Sequence, residues 1–441
     1  MIIKLCLNII IFLVNLVRNV EIIIPFNSTF SQIPRNLTPI NFITSLIENE
    51  LYTNFDIGTP FQNLDFLIDF NSYHTYIMKD NKKNKNYKRF LYNKSSTFKY
   101  LGPKEYFYDL DFSSAINSSD ILSFKENIIN VNYTFLHVID KSPSSKDKYP
   151  GVIGLGVVSN GQPFHANAGL IYQLKHKNIT NNYIYTLIFN KDDFNGNIIV
   201  EKNFYDNYPI DNFMNKYCIV TPEYSYHWGW ENINSYLDSE ELEITRIYFK
   251  PELGVIAVNP SIMEILMTKF FNEKIKDGKC YKDFRIFSFL YCDKDVKIDI
   301  GKLIFKNKMK NIEFSIDSND LTLEYNNKIF FLLVSGIRLP KNEAYLGYPF
   351  SKKYNLIFNQ GDRTVGFYNF NKNNNDKGKD DKKTNEKERY KKAIYLTKKF
   401  LPFFIVLFSI IFLYVVFYVY RQIKRKTNEK LYEELNESSN D

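Results

Sequence analysis

From Leu51 onward the apolar residues come in short runs separated by clusters of Asn, Asp, Gly and Pro. Within a run, apolar and polar positions tend to alternate. A period of two puts every second side chain on one face of a strand, so the pattern predicts an all-β protein. Asp65-Phe-Leu-Ile68, Asn127-Ile-Ile-Asn-Val131, Asn197-Ile-Ile-Val200 and Lys328-Ile-Phe-Phe-Leu-Leu-Val334 are the clearest predicted strands. Helical spacing is confined to short pieces, chiefly Ile262-Met-Glu-Ile-Leu-Met-Thr-Lys-Phe-Phe271. Residues 21–48 show no alternation and read as a short N-terminal segment. Beyond Phe370 the chain turns polar and charged through Lys392, a composition that cannot bury a core, so the folded region ends there.

A weak internal repeat lies within that region. An apolar strand ends at Asp69 and is followed later by Val152-Ile153-Gly154; Arg246-Ile-Tyr-Phe249 ends at Lys250 and is followed later by Tyr345-Leu346-Gly347. Two apolar residues and a glycine are what a strand needs to pass closely beneath a tight loop.

Both ends of the chain point to a membrane. Met1-Ile-Ile-Lys4 leads into a mostly apolar run to Val17, the layout of a secretory signal over residues 1–20. Near the other end, Phe400 to Tyr420 is a run of 21 residues without a charge. A helix of that length crosses roughly 30 Å, the thickness of a bilayer's hydrocarbon core. Basic residues from Arg421 to Lys426 follow it. The expected order is therefore signal, ectodomain, charged stalk (371–398), transmembrane helix (399–420) and cytoplasmic tail (421–441). This makes a single-pass type I protein of a secretory-pathway membrane or the cell surface, its ectodomain lumenal or extracellular.

The net charge of +8 changes meaning once it is located. Residues 371–399 hold 11 basic against 5 acidic side chains, residues 421–441 hold 5 of each, and residues 1–370 hold 41 against 39. The excess lies in the stalk, so the fold lacks the basic face that nucleic-acid binding requires. An oxidising compartment suits the cysteines. Of the four, Cys6 leaves with the signal; Cys280 and Cys292, close in sequence around an aromatic-rich stretch, are expected to pair; Cys218 is left as a buried free thiol. So small a disulfide loop contributes about 3 kcal/mol in the chain-entropy picture. Candidate glycosylation sites are Asn27, Asn36, Asn93, Asn117, Asn132 and Asn178, whereas Asn259 precedes a proline and does not count.

Several ordered blocks carry a resemblance. They include Phe55-Asp-Ile-Gly-Thr-Pro-Phe-Gln62, Lys94-Ser-Ser-Thr-Phe-Lys99 followed by Tyr108, Tyr149-Pro-Gly-Val-Ile-Gly-Leu-Gly156 and Tyr226-His-Trp-Gly-Trp230. Ala344-Tyr-Leu-Gly-Tyr-Pro-Phe350 and Asn359-Gln-Gly-Asp-Arg-Thr-Val-Gly-Phe367 complete the set. Over about residues 50–370 the chain resembles the pepsin-like (A1) aspartic peptidases. The resemblance implies an all-β bilobed fold over 49–370, with lobes about 49–218 and 219–370 around a cleft that takes a peptide or protein ligand. It also implies Tyr108 as the flap tyrosine, Cys280–Cys292 as the lobe-two disulfide, a monomeric ectodomain, and no cofactor or metal.

That family cleaves peptides with two aspartates that share one proton, each in an Asp-Thr-Gly or Asp-Ser-Gly turn. Here the first triplet is Asp69-Phe70-Asn71. The carboxylate is present, a ring stands in for the hydroxyl that links the lobes, and Asn stands where Gly would admit positive φ. Aligning Val255–Ser261 with the apolar run after the second triplet places Lys250-Pro251-Glu252 on it and Lys250 on the second aspartate's position; treating Asn259 as aligned rather than inserted moves that position to Pro251, neither register offers an acid, and only a shift of two would bring in Glu252. An ammonium facing Asp69 holds that carboxylate ionised, leaving no shared proton. On this reading Asp69 is vestigial, capping its own loop or paired with Lys250, and Glu252 is the one substitute acid.

Other constellations carry no chemistry. The five histidines have no ligand spacing, and Gly151–Gly156 lacks the Gly-Lys-Ser/Thr of a phosphate loop. Tyr432-Glu-Glu-Leu435 in the tail resembles a tyrosine-based sorting signal. The reading is a membrane-anchored pseudopeptidase acting in binding or scaffolding. The alternatives are an aspartic endopeptidase with an atypical site, or a surface adhesion or structural protein.

Overall fold

The computed structural model describes residues 22–34, 36–78, 88–106, 112–124, 129–141, 148–157, 169–190, 193–200, 213–219, 228–307 and 312–368, together with Tyr418 and Arg421. The expected signal, stalk, sorting motif at Tyr432 and Leu435, and flap residue Tyr108 lie outside the described residues, as does the expected transmembrane helix apart from Tyr418. Everything from 22 to 368 belongs to one compact unit.

The chain is built of strands, as the alternation predicts. Leu51–Ile57 buries every second residue and pairs antiparallel with Gln62–Asp69. The largest sheet among the described residues has thirteen strands, and smaller sheets in the second half include Gly229–Glu231, Arg246–Phe249, Ile256–Ala257, Leu333–Val334 and Glu343–Leu346. The core is largely aromatic. Phe314, for example, lies within 5.5 Å (ring centres) of Phe350, Phe367, Tyr354 and Trp230.

Two features depart from the sequence reading. The N-terminal segment is an integral part of the fold. Ile22–Ser28 is a strand with alternating burial, pairing with Gly196–Val200 through Ile22–Phe26 and with Leu51–Ile57 at Asn27 and Ser28. It is followed by the helix Pro39–Ile47, which Thr38 caps by accepting from Asn41 N, with Pro39 where its missing N–H costs nothing. Phe42, Ile43 and Leu46 are buried, and Phe42 stacks on Tyr325 with ring centres 4.1 Å apart. This segment therefore ties the first sheet to the second half. Nor does the chain divide cleanly at 218/219, because the closing strands Asn355–Asn359 and Thr364–Tyr368 join the thirteen-stranded sheet, the first of them beside Ile184–Phe189.

The predicted helix at Ile262–Phe271 is α-helical over Pro260–Leu266 and becomes a π-turn over Met267–Phe271. That turn sets Phe271 edge-on against Phe331. Asn259, excluded as a glycosylation site by the following proline, caps this helix by accepting from Ile262 N. Cys280 and Cys292 are directly opposite in an antiparallel pair and form the disulfide. Backbone pairing sets Cys218 opposite Val365.

The strand crossings require the glycines the sequence singled out. A Cβ on Gly154 would lie 2.5 Å from backbone atoms of Tyr73 and His74, and one on Gly347 2.2 Å from the carbonyl oxygen of Val255. Backbone cannot yield as a side chain can. Gly154→Ala is therefore expected to lower unfolding stability by at least about 1–3 kcal/mol. Gly102→Ala, with nothing within 4 Å of the new methyl, should stay within about 0.5 kcal/mol of wild type. Equilibrium urea unfolding of the two variants measures both.

Candidate active site

Strand register identifies which residues of the two halves correspond. Gln62–Asp69 runs parallel to Gly151–Gly154, with Ile68 opposite Ile153 and Asp69 opposite Gly154. Arg246–Phe249 runs parallel to Glu343–Leu346, with Phe249 opposite Leu346, so the next pair in that register is Lys250 and Gly347. The strands that follow agree: Tyr76 lies opposite Val152 and Ala257 opposite Tyr345, each seven positions beyond Asp69 and Lys250. Lys250 is thus the topological counterpart of Asp69, Pro251 of Phe70, and Glu252 of Asn71.

Asp69 is 8 % exposed. Its carbonyl accepts from Leu155 N at 2.8 Å, and its carboxylate Oδ1 accepts from Asn71 N at 2.8 Å. This closes the loop through a charge-assisted bond to the backbone. The loop closes without the positive φ expected of Asn71, which is not among the non-glycine residues in that conformation. Phe70 is buried, 6.0 Å (ring centres) from Phe358, and Pro251 opposite is buried too. Apolar packing occupies the positions where a pair of hydroxyls would have linked the lobes.

The two loops meet through the next residues. Lys250 Nζ donates to Asn71 Oδ1 at 2.8 Å and lies 4.9 Å from the centre of the Tyr345 ring. Asn71 Nδ2 donates to Glu252 Oε1 at 3.3 Å. Glu252 as a residue is part-exposed, yet its Oε2 is enclosed and has no hydrogen-bond partner. Burial raises the carboxyl's pKa, the Lys250 ammonium pulls it back, and the Asp69 charge raises it further. The sequence reading brought Glu252 to the site only by a shift of two; the structure brings it there from the glycine-equivalent position, across from Asn71.

Sequence reasoning missed the residues that hold this arrangement. Asn49 Nδ2 donates to the Glu252 carbonyl at 2.8 Å, and Gly254 N donates to the Leu46 carbonyl at 2.8 Å. Tyr185 Oη, Trp228 Nε1 and Gln360 Nε2 all donate to the carbonyl of Leu155, at 2.8, 3.1 and 3.3 Å. These contacts join residues far apart in the chain, and the only signal for any of them was the quoted blocks containing Trp228 and Gln360. Among the described residues no group of three His, Cys, Asp or Glu is gathered as for a metal. Five of the candidate glycosylation residues are exposed; Asn117 is half-buried, with its Oδ1 enclosed and lacking a hydrogen-bond partner.

A family profile for eukaryotic aspartyl proteases matches residues 50–370. The chain belongs to that family. The match covers both halves, the two strand crossings and the closing strands, as the resemblance implied. Among curated proteins none matches the chain. Within an aspartyl protease domain, the register that sets Lys250 at the counterpart of Asp69 is the feature that bears on activity.

The Glu252 shift has a consequence for stability. Its folded-state pKa lies above the unfolded value, so the protonated form favours folding. That contribution is present below the ordinary glutamate value of 4.5 and is lost as pH rises through the folded one. Glu252→Gln, which is neutral throughout, should lose this component. Urea midpoints measured across that interval should fall with pH more steeply in wild type than in the variant.

Proposed function

We propose that this aspartyl protease domain is non-catalytic and serves as the binding or scaffolding ectodomain of a type I membrane protein, holding a peptide or protein ligand between its lobes. The observation that carries the reading is Lys250 at the counterpart of Asp69, with its ammonium bonded to Asn71. Peptide hydrolysis by this family needs one carboxylate to take a proton from water while another gives one to the amide. A lysine in one of those seats removes the donor, because position 250 then carries no carboxyl. Phe70 and Pro251 also take away the cross-lobe hydroxyl link that would fix two acids in place. Asp69 then has a structural role, holding Asn71 N. A signal at residues 1–20, the anchor at 399–420, sugars on the exposed asparagines and a sorting signal at Tyr432 and Leu435 belong to the same proposal.

A second reading rests on Glu252. An acid whose carboxyl is pushed toward its neutral form by burial, across the loops from Asp69, is the kind of partner an endopeptidase could use. The two readings separate on one experiment, incubation of the purified protein with a diverse peptide library from about pH 3 to 7, where carboxyl pairs titrate. The expected result is no cleavage at any pH. Cleavage that disappears in both Asp69→Ala and Glu252→Gln would establish the second reading instead.

A further inference from the structure

The contact between the two loops brings together an amine, a carboxamide and a carboxylic acid. Lys250 Nζ is 2.8 Å from Asn71 Oδ1, and the carboxamide carbon is one C=O bond beyond that oxygen. Asn71 Nδ2, the nitrogen that would leave, is 3.3 Å from Glu252 Oε1. The other Glu252 oxygen is enclosed with no hydrogen-bond partner, so the acid has capacity that nothing else in the site uses.

The reactants are also held. Asp69 Oδ1 fixes Asn71 through its backbone N–H, Asn49 fixes the backbone of Glu252, and the Tyr345 ring lies against Lys250. Fixing a nucleophile beside its target replaces a bimolecular encounter with a unimolecular step, the largest advantage such an arrangement can have over the same groups in solution.

We propose that Lys250 and Asn71 form an intramolecular isopeptide bond between the two loops, with Glu252 carrying the proton and ammonia as the product. A proton first passes from the Lys250 ammonium to the Glu252 carboxylate, leaving a neutral amine beside a neutral acid. The Nζ lone pair attacks Asn71 Cγ and the C=O electrons move onto Oδ1. When the carbonyl re-forms, the Cγ–Nδ2 bond breaks. Nδ2 takes the proton from Glu252 and Nζ returns one of its own to the carboxylate. One Cγ–Nζ amide replaces one Cγ–Nδ2 amide, one ammonia leaves, and no oxidant or external reagent is consumed. Burial of Glu252 favours the neutral pair that begins the sequence.

The bond would join residues 179 positions apart and turn the hydrogen-bonded contact between the loops into a covalent one. It would replace the Lys250 ammonium with a neutral amide, so position 250 still supplies no acid, and it uses no ligand and no peptide cleavage. The test is peptide mapping of the purified full-length chain. Chymotryptic digestion and tandem mass spectrometry should recover a branched peptide joining the Asn71 and Lys250 segments, lighter by one ammonia than the two linear peptides together. Recovery of the Lys250 peptide as a linear species with a free amine overturns the proposal, and this readout needs no variant to fold. In Glu252→Gln the branched peptide should be lost; its persistence there would overturn the role given to Glu252.

Discussion

At two places in this fold one backbone passes so closely over another that no side chain can stand between them. Gly154 lies under the loop that follows Asp69 and Gly347 under the loop that follows Lys250, each with backbone atoms within 2.5 Å of where a Cβ would be. The parallel pairing of Gln62–Asp69 with Gly151–Gly154, and of Arg246–Phe249 with Glu343–Leu346, sets these crossings. From them follows the position of every group at the site. Asp69 and Lys250 are where they are because a strand ends over a glycine, not because their charges attract.

The strand crossings are thus alike in the two halves, while Lys250 and not an aspartate stands at the counterpart of Asp69. A carboxylate pair works because like charges a few ångströms apart cannot both ionise, so one proton is held between them. A carboxylate with an ammonium has the opposite character: each favours the charged form of the other. The apolar pair Phe70 and Pro251 reinforces the change. Burying a ring the size of Phe70 is worth about 1.5–3 kcal/mol, so the loop has a source of stability that does not require a hydroxyl bridge. Glu252 stands apart, since burial favours its neutral form and the asparagine facing it is already engaged by Lys250.

What could be read from the sequence was what is local. Strand alternation, the Gly-bearing crossings and the disulfide between two nearby cysteines each sit within a few residues. The register of Lys250 with Asp69 followed from counting back along the apolar run Val255–Ser261. The strand Ile22–Ser28 escaped because three consecutive isoleucines show no alternation and Pro25 reads as a breaker; most of its length pairs with Gly196–Val200, more than a hundred residues away. Asn49, Tyr185 and Gln360 escaped for a related reason. Each donates to a distant backbone carbonyl, and a polar side chain carries no mark of which carbonyl it will meet. Glu252 was visible as a residue, but its approach to Asn71 depends on how two separate loops face each other.

Asp69 has a structural task that needs no hydrolytic chemistry. Its carboxylate accepts the Asn71 backbone N–H, and its own carbonyl accepts from Leu155, the residue whose carbonyl in turn receives Tyr185, Trp228 and Gln360. Removing the carboxylate would leave the Asn71 N–H without that partner in a site that is only slightly exposed, and an unmet buried donor costs about 1–3 kcal/mol. That is sufficient reason for an aspartate at this position independent of any hydrolysis. The presence of one family aspartate is thus weak evidence for hydrolysis, and the identity of the residue at its counterpart carries more weight, because the family's chemistry needs two acids that share a proton.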